Sequence, residues 1–285
     1  MHVKDFFKGR TAVIASKHKK EQVIAQLLKE HLGLKIIIPE NIDTDQFGTF
    51  TRDIPRNGTQ YETARAKALE GIRLTRVEIG IGSEGAFGPH PAFPFVPANI
   101  EIVVLIDTKR DLEIVGESIS LETNFDHAHI SSLEEAKAFA KRICFPSHGL
   151  VIRAHPNSTV DMVKGVTTMD QLEKEVEKFL KLPSQKKAFL ETDMRAHVNP
   201  TRMENIRLAT EDLVKNSLRS CLKCGMPGFR ITEKKPGLPC ELCGLKTDNV
   251  LADVYTCHKC GFTKEELYPA GIRVAYSGNC GYCNP

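Results

Sequence analysis

Eight of the nine cysteines in this 285-residue chain stand in four Cys-x-x-Cys pairs. The pairs are Cys221/Cys224, Cys240/Cys243, Cys257/Cys260 and Cys280/Cys283. A tetrahedral Zn²⁺ takes four thiolates, so eight cysteines supply two closed four-cysteine sites. A disulfide framework, the alternative, requires an oxidising compartment, and nothing in the sequence indicates one. The pattern therefore predicts two structural zinc ions without an open coordination position for catalysis.

The four pairs can fill two zinc sites in a sequential, nested or interleaved arrangement. An apolar stretch at 229–232 is soon followed by Pro236 and Pro239, which leaves little room for a returning strand. Residues 249–256 instead run directly into the third pair, as a ribbon strand does. We therefore expect nesting, with an inner site of Cys240, Cys243, Cys257 and Cys260 and an outer site of Cys221, Cys224, Cys280 and Cys283.

A lysine-rich junction follows the first predicted strand. Ser16, Lys17 and Lys20 precede a predicted helix, where backbone amides and ammonium groups together could bind an anion. The alternative is a solvated surface turn, which has the same composition.

Two further segments combine acidic residues with bases or glycines. Glu62 and Arg65 lie three residues apart on a predicted helix that also carries Lys67, and an ordinary surface salt bridge is the alternative there. Glu84 stands in the glycine-rich segment 80–88, which we expect to form a turn after a strand. A carboxylate at the carboxyl end of a strand is a typical metal ligand or general base.

A mixed-charge segment, residues 191–203, leads into another predicted helix. Arg195 and Arg202 could each hold a phosphate or carboxylate through two hydrogen bonds, and His197 could transfer a proton. A charged linker before a capped helix is the alternative interpretation.

The elements that must position these residues alternate between strands and helices. Strands are predicted at 11–16, 35–38, 77–82, 100–106, 112–120 and 150–152, and helices at 21–32, 59–69, 132–143, 169–182 and 200–220. Thr59 with Glu62 has the sequence of a capping box, and Asn199 with Pro200 marks another helix start. The alternation predicts an α/β domain over residues 1–220, followed by a zinc-ribbon module over residues 221–285.

Composition and charge exclude several classes of protein. The chain is 41% hydrophobic and 26% charged, which is ordinary for a globular protein. Neither a membrane span nor a signal-peptide core is evident, so we expect a cytoplasmic protein that does not bind membranes. The formal net charge of +3 falls below zero once each zinc tetrathiolate centre contributes two negative charges, which gives no overall attraction for nucleic acid.

The order of the amino-terminal segments resembles that of the house-cleaning nucleotide pyrophosphatases, the inosine/xanthosine triphosphatase and Maf-like superfamily. The matches are Ser16 with Lys17 and Lys20, then the run 62–68, then Gly82–Gly85. The resemblance implies a mixed-sheet pyrophosphatase-like fold with Mg²⁺ held by acidic residues. It also implies Glu62 and Glu84 as metal ligands or base, and Ser16, Lys17, Lys20 and Lys67 as phosphate contacts. Ser83 stands where the triphosphatase branch has an acidic residue.

A second resemblance spans nearly the whole chain. The run 191–203, the motifs Cys221-x-x-Cys-Gly-Met-Pro-Gly-Phe and Gly-Leu-Pro-Cys240-x-x-Cys-Gly, and the closing Cys280-Gly-Tyr-Cys283-Asn-Pro are similar to those of an uncharacterised bacterial family. This resemblance implies no activity.

These features predict Mg²⁺-dependent hydrolysis of a phosphoanhydride bond in a nucleotide-like substrate by a protein with a structural zinc tail. The catalytic candidates are Glu62 and Glu84. The substrate-binding candidates are Ser16, Lys17, Lys20, Arg65, Lys67, Arg195, His197 and Arg202. The alternative is a non-enzymatic adaptor that binds nucleic acid or protein through the zinc module.

Overall fold

Three β-sheets organise the chain in a computed structural model that describes residues 5–40, 42–48, 58–182 and 187–285. The first sheet contains β1 (Thr11–Ala15), β2 (Lys35–Ile37), β3 (Ile79–Pro89), β4 (Pro97–Asp107) and β5 (Leu112–Ser120). Its strand order is β2-β1-β3-β4-β5. The strands β2, β1 and β3 pair in parallel, whereas β4 pairs antiparallel with both of its neighbours. The first sheet is therefore mixed, and the expected α/β class is confirmed.

Helices cover both faces of this sheet. They are α1 (Glu21–Leu32), α2 (Gln60–Thr75) and α5 (Pro200–Ser217). Side chains of α1 and α5 share one hydrophobic core with the sheet, represented by Leu28, Leu105 and Leu213. The helix α2 packs on the opposite face, where Ala64 and Ala68 meet Val104. The two faces therefore have separate apolar cores.

The helix starts follow the caps that the sequence indicates. The Thr59 hydroxyl accepts a hydrogen bond from the Glu62 amide, and the Glu62 carboxylate accepts one from the Thr59 amide, which forms a capping box. Asn199 caps α5 by accepting from the Arg202 amide at 2.9 Å. These caps set the positions at which α2 and α5 begin.

The second sheet lies between β5 and α5 in the sequence. It contains β6 (His127–Ile130), β7 (Leu150–Arg153), β8 (Met162–Val166) and β9 (Ala188–Thr192) in the order β6-β9-β7-β8, with all pairs antiparallel. The helices α3 (Leu133–Arg142) and α4 (Met169–Leu180) pack with it around a core of its own. The region expected to form one α/β domain thus contains two sheets with distinct cores.

Residues 80–88, which we expected to form a turn, lie instead within the eleven-residue strand β3. Gly80 and Gly82 face α2, and a Cβ at Gly82 would collide with the carbonyl oxygen of Ala64. The turn prediction was wrong because these glycines permit close packing of a helix on a strand instead of a chain reversal. The chain reverses only after Pro89, so Glu84 lies inside the sheet.

The third sheet lies in the zinc-ribbon module, residues 221–285. It is an antiparallel meander of β10 (Arg230–Pro236), β11 (Val250–Thr256) and β12 (Thr263–Leu267). Within the described residues, no helix combines the length and apolar content that crossing a bilayer requires.

Candidate functional site

The first sheet has a topological switch point between β1 and β3. The chain leaves β1 through α1 on one face to reach β2, and it returns through α2 on the other face to reach β3. In open α/β sheets, ligands bind in the crevice at the carboxyl ends of the strands where the connections diverge. Charged side chains from α2, β3, β4 and α5, and from the loop between β1 and α1, meet at this edge.

Lys67 and Glu84 form the first contact of this charged cluster. Lys67 Nζ on α2 lies 2.5 Å from Glu84 Oε2 on β3, and both side chains are buried. Gln60 reinforces the strand position by donating to the carbonyl oxygens of Glu84 and Ile100, each at 2.8 Å. The predicted base and one predicted phosphate contact are therefore brought together.

Lys20 is the second cation of the cluster and is 7% exposed. Its Nζ lies 3.4 Å from the hydroxyl of Ser83, and no other hydrogen bond reaches this ammonium within the part of the chain that the structure describes. Burial, followed by repulsion from Arg202 and Lys67, lowers the pKa of Lys20 to about 7. An ammonium has three donors, so Lys20 retains capacity to bind an anion.

Arg202 and Glu101 complete the cluster from α5 and β4. Arg202 Nε lies 2.9 Å from Glu101 Oε1, and Arg202 also donates to the carbonyl oxygen of Met194. Glu101 is fully buried and receives a second hydrogen bond from Asn99 at 3.0 Å. Sequence reasoning missed Glu101. The sequence pattern that could have revealed it is the alternation along β4. Glu101 is an acidic residue on the same side of this strand as the apolar Val103 and Leu105, which face the core.

The junction between β1 and α1 borders the cluster. His18 and Lys19 have φ angles of +65° and +60°, a strained region for non-glycine residues that is concentrated at functional sites. Ser16 donates to the carbonyl oxygen of Lys17 at 3.1 Å, and Lys17 Nζ lies 2.8 Å from Asp43 in an exposed ion pair. Of the three residues predicted here, Lys20 enters the cluster and the other two lie at its border.

His197, also predicted from the sequence, stacks on His18 with ring centroids 4.9 Å apart. Burial, followed by repulsion from His197 and nearby cations, lowers the pKa of His18 to about 3. Burial likewise lowers the pKa of His197. Arg195 beside this stack binds both carboxylate oxygens of Asp193 at 2.6–3.1 Å. The stacked imidazoles are therefore neutral at pH 7.

Two candidates on α2 lie away from the cluster. The Glu62 carboxylate accepts from the Thr59 amide at 2.7 Å, and its side chain is exposed. Arg65 Nε lies 3.1 Å from Glu113 on β5 and is also exposed. The helical rotation of about 100° per residue separates these positions from Lys67, which is on the buried face of α2. The geometry therefore gives Glu62 and Arg65 structural contacts and places neither beside Glu84.

The eight paired cysteines form two groups. The proximal group is Cys221, Cys224, Cys257 and Cys260, the distal group is Cys240, Cys243, Cys280 and Cys283, and the four sulfurs of each lie within 4.8 Å of one another. This is the interleaved arrangement, so the nested expectation was wrong. The strand β10 continues through Lys235 to Pro236, which makes it long enough to carry the chain to the far end of the module. Each strand of the meander therefore links opposite ends, and successive Cys-x-x-Cys turns alternate between the two groups.

Both groups have the dimensions of a zinc site. The closest sulfur pairs between the turns are 3.7 Å apart in the proximal group, and 3.7 and 3.8 Å apart in the distal group. Tetrahedral zinc with Zn–S bonds near 2.3 Å places its sulfurs about 3.8 Å apart. Three turns end in a glycine with φ near +70°, whose amide bonds to the carbonyl oxygen of the first cysteine. Each group could therefore hold one structural zinc ion.

The proximal group is attached to the first sheet. Met226 packs against the core of that sheet, and the Gly228 amide donates to the carbonyl oxygen of Asn216 at 3.2 Å. Lys259, inside the third cysteine pair, lies 2.9 Å from Asp111. At the far end, Leu242, Tyr276 and Tyr282 beside the distal group are 74%, 69% and 74% exposed. The proximal end of the zinc module therefore packs against the rest of the protein, whereas the distal end carries exposed apolar side chains.

Comparison with known families gives a match over most of the chain. Residues 67–285 match the family described as domain of unknown function DUF6671. The matched region contains Lys67, Glu84, Glu101, Arg202 and both cysteine groups, and Lys20 precedes it. A comparison with curated proteins finds no match. Because the match covers more than half of its length, this chain belongs to the DUF6671 family.

Proposed function

We propose that the first sheet binds the phosphate chain of a nucleotide-like substrate between β1 and β3, and that the protein hydrolyses a phosphoanhydride bond in it with Mg²⁺. The observation that carries this proposal is the buried cluster of Lys20, Lys67 and Arg202 with Glu84 and Glu101. When Lys20 is protonated, the cluster contains three positive and two negative charges. An excess buried positive charge costs free energy, and an anionic ligand offsets that cost.

The position and the sequence both support this assignment. The cluster lies in the crevice at the switch point, where α/β sheets bind ligands. The first turn of α1 adds backbone amides, which favour an anion at a helix start. The nucleotide-like character of the substrate rests on the resemblance of the amino-terminal segments to the nucleotide pyrophosphatases.

The hydrolytic step assigns a role to each charge. Lys20, Lys67 and Arg202 neutralise the phosphate oxygens as negative charge develops on them. Glu84, oriented by Lys67, accepts a proton from the attacking water. The water oxygen bonds to phosphorus while the P–O bond to the leaving phosphate breaks, and the leaving phosphate keeps the bonding electrons.

A carboxylate of the cluster fits a magnesium ion. In proteins Mg²⁺ is held through one or two carboxylates together with substrate phosphates, and Glu101 would supply one at this site. When bound, the ion supplies charge neutralisation at the phosphate oxygens.

The proposal is tested by thermal-shift measurements against a panel of nucleotides and sugar phosphates, with and without Mg²⁺, followed by assays of phosphate and pyrophosphate release. A ligand at a hundred times its Kd stabilises the native state by about 2.7 kcal/mol. We expect a Mg²⁺-dependent shift with one nucleotide class and release of product from it. The absence of both across the panel would refute the proposal.

Lys20→Met is the variant that tests the cluster, with Lys19→Met as its matched control. Both changes remove one ammonium from the same junction, but Lys19 is exposed whereas Lys20 is buried. We expect the ligand-induced shift to be lost with Lys20→Met and retained with Lys19→Met. Equal loss in both variants would mean that overall charge, and not the cluster, attracts the ligand.

A second candidate function is that of an adaptor that binds nucleic acid or protein through the zinc module. The exposed apolar residues Leu242, Tyr276 and Tyr282 around the distal group favour it. Fluorescence anisotropy with single-stranded and duplex oligonucleotides at two salt concentrations tests the nucleic-acid form. Binding that weakens with salt and disappears in Tyr276→Ala/Tyr282→Ala would support it.

A further inference from the structure

Glu101 is the charged residue of the cluster whose second carboxylate oxygen is buried without a hydrogen bond from the described residues. Its Oε1 accepts hydrogen bonds from Arg202 Nε at 2.9 Å and from Asn99 Nδ2 at 3.0 Å. Its Oε2 is buried and has no hydrogen-bond partner within the described residues. Such an atom loses its hydration without compensation, which is costly for a carboxylate. Glu101 Oε2 is therefore suited to a ligand that enters with the substrate.

The surroundings of Glu101 hold this carboxylate in one orientation. Asn99 is itself fixed by Asn205, which donates to its side-chain oxygen at 2.8 Å. Gly85 lies opposite Glu101 in the β3–β4 pairing, and a Cβ there would collide with Glu101 Oε1 and with Arg202. The carboxylate thus approaches the β3 backbone closely. Its Oε1 is held by hydrogen bonds, whereas its Oε2 accepts none from the described residues.

Building on the proposed phosphate site, we infer that Glu101 Oε2 is the protein ligand for the divalent cation, and that this cation enters only together with phosphate. Among the residues described, the groups of three or more metal-ligating side chains are the two cysteine groups. A cation at Glu101 must therefore take most of its six oxygen ligands from phosphate and water.

Charge explains why the two ligands enter together. Lys20, Lys67 and Arg202 repel a bare divalent cation, whereas the negative charge of a bound phosphate chain reverses the local potential. By linkage, the cation then strengthens phosphate binding by the same factor by which phosphate strengthens cation binding. The site is predicted to bind metal and phosphate as a pair.

Isothermal titration of the full-length, zinc-loaded protein with inorganic pyrophosphate and Mg²⁺ tests this inference. We expect no measurable binding of Mg²⁺ alone, and pyrophosphate affinity that rises about tenfold or more at saturating Mg²⁺. Glu101→Gln keeps the acceptor toward Arg202 but replaces the free oxygen by an amide. This variant is expected to bind pyrophosphate without Mg²⁺ and to lose the enhancement by Mg²⁺.

Glu117→Gln is the matched control, because Glu117 is an exposed carboxylate on the adjacent strand β5. It is expected to show the wild-type enhancement. An enhancement that persists in Glu101→Gln would overturn the inference and leave the phosphate site intact. Binding of Mg²⁺ alone as tight as with pyrophosphate would overturn joint entry.

Two further outcomes are decisive. If no pyrophosphate binds under any condition, both the phosphate site and this inference fail. If Glu101→Gln does not fold, Glu101→Asp replaces it, because the shorter side chain withdraws the carboxylate by one methylene and keeps its charge. A weaker Mg²⁺ effect in that variant supports the inference, and an unchanged effect overturns it.

Discussion

The ammonium of Lys67 lies 2.5 Å from the carboxylate of Glu84, and the side chains are 7% and 10% exposed. The two residues belong to α2 and β3 and are 17 positions apart in the sequence. Their contact joins a helix on one face of the sheet to the strand beside the switch point. It therefore couples the packing of α2 to the electrostatics of the proposed site.

Breaking this pair from either side should destabilise the fold. Lys67→Met or Glu84→Gln leaves one buried charge uncompensated, and each is expected to cost about 3–5 kcal/mol of unfolding free energy. The double variant is expected to cost less than the sum of the two, because neither charge remains. Urea denaturation of the four proteins measures this coupling. Strict additivity would show that the two charges do not interact.

The surface pair between Arg73 and Glu70 on the same helix is the control for that cycle. Its atoms lie 2.7 Å apart, but the arginine side chain is 68% exposed. Arg73→Gln is expected to change stability far less than either variant of the buried pair does, because solvent screens an exposed ion pair.

Stability should rise with pH above neutrality because of Lys20. The pKa of Lys20 is about 7 in the folded protein against the ordinary 10.5, so the folded state binds fewer protons between these values. The cost of the buried charge is fully present below pH 7 and is relieved as the pH rises toward 10.5. The stability gained by Lys20→Met over wild type should therefore be largest below pH 7 and shrink above it. Urea titrations at several pH values measure this difference, and a pH-independent difference would contradict it.

Gly82 should be intolerant of even a methyl group. A Cβ at this position would collide with the carbonyl oxygen of Ala64, so Gly82→Ala must displace α2 and with it Lys67. Overpacking of this kind costs about 1–3 kcal/mol. Gly88 on the same strand has no atom within 4 Å of the place that an added methyl group would occupy, and Gly88→Ala is the matched control. Thermal denaturation that ranks the two variants equally would contradict the close packing.

The zinc content of cysteine variants shows which Cys-x-x-Cys pairs share a zinc ion. Cys221 and Cys257 belong to the same group, so Cys221→Ser/Cys257→Ser should lose the proximal zinc and keep the distal one. Cys221→Ser/Cys240→Ser removes one ligand from each group and should lose both ions. Elemental analysis of the purified variants distinguishes the arrangements. A nested pairing would place Cys221 and Cys257 in different sites, so the loss of both ions in the first variant would contradict the interleaved arrangement.

Local sequence patterns were sufficient for most elements of the first sheet. The helix at 21–32 and the strand at 112–120 were predicted with the bounds that the structure has. The cap at Thr59 was also found. These features depend on hydrophobic periodicity and on hydrogen bonds within a few residues, which the sequence displays directly. The strands β6, β8 and β9 were missed as regular elements.

The sequence by itself determined the chemistry of the carboxyl-terminal module, since eight cysteines in four pairs supply eight thiolates whatever their partners. It also singled out Lys20, Lys67, Glu84 and Arg202. Only the tertiary structure decided that these four charges meet, that Glu101 joins them, and that Glu62 caps its own helix instead. Strand length and direction likewise decided the interleaved cysteine groups. The reason is physical: a residue's type sets what it can bind, but long-range packing sets which groups share a low-dielectric interior.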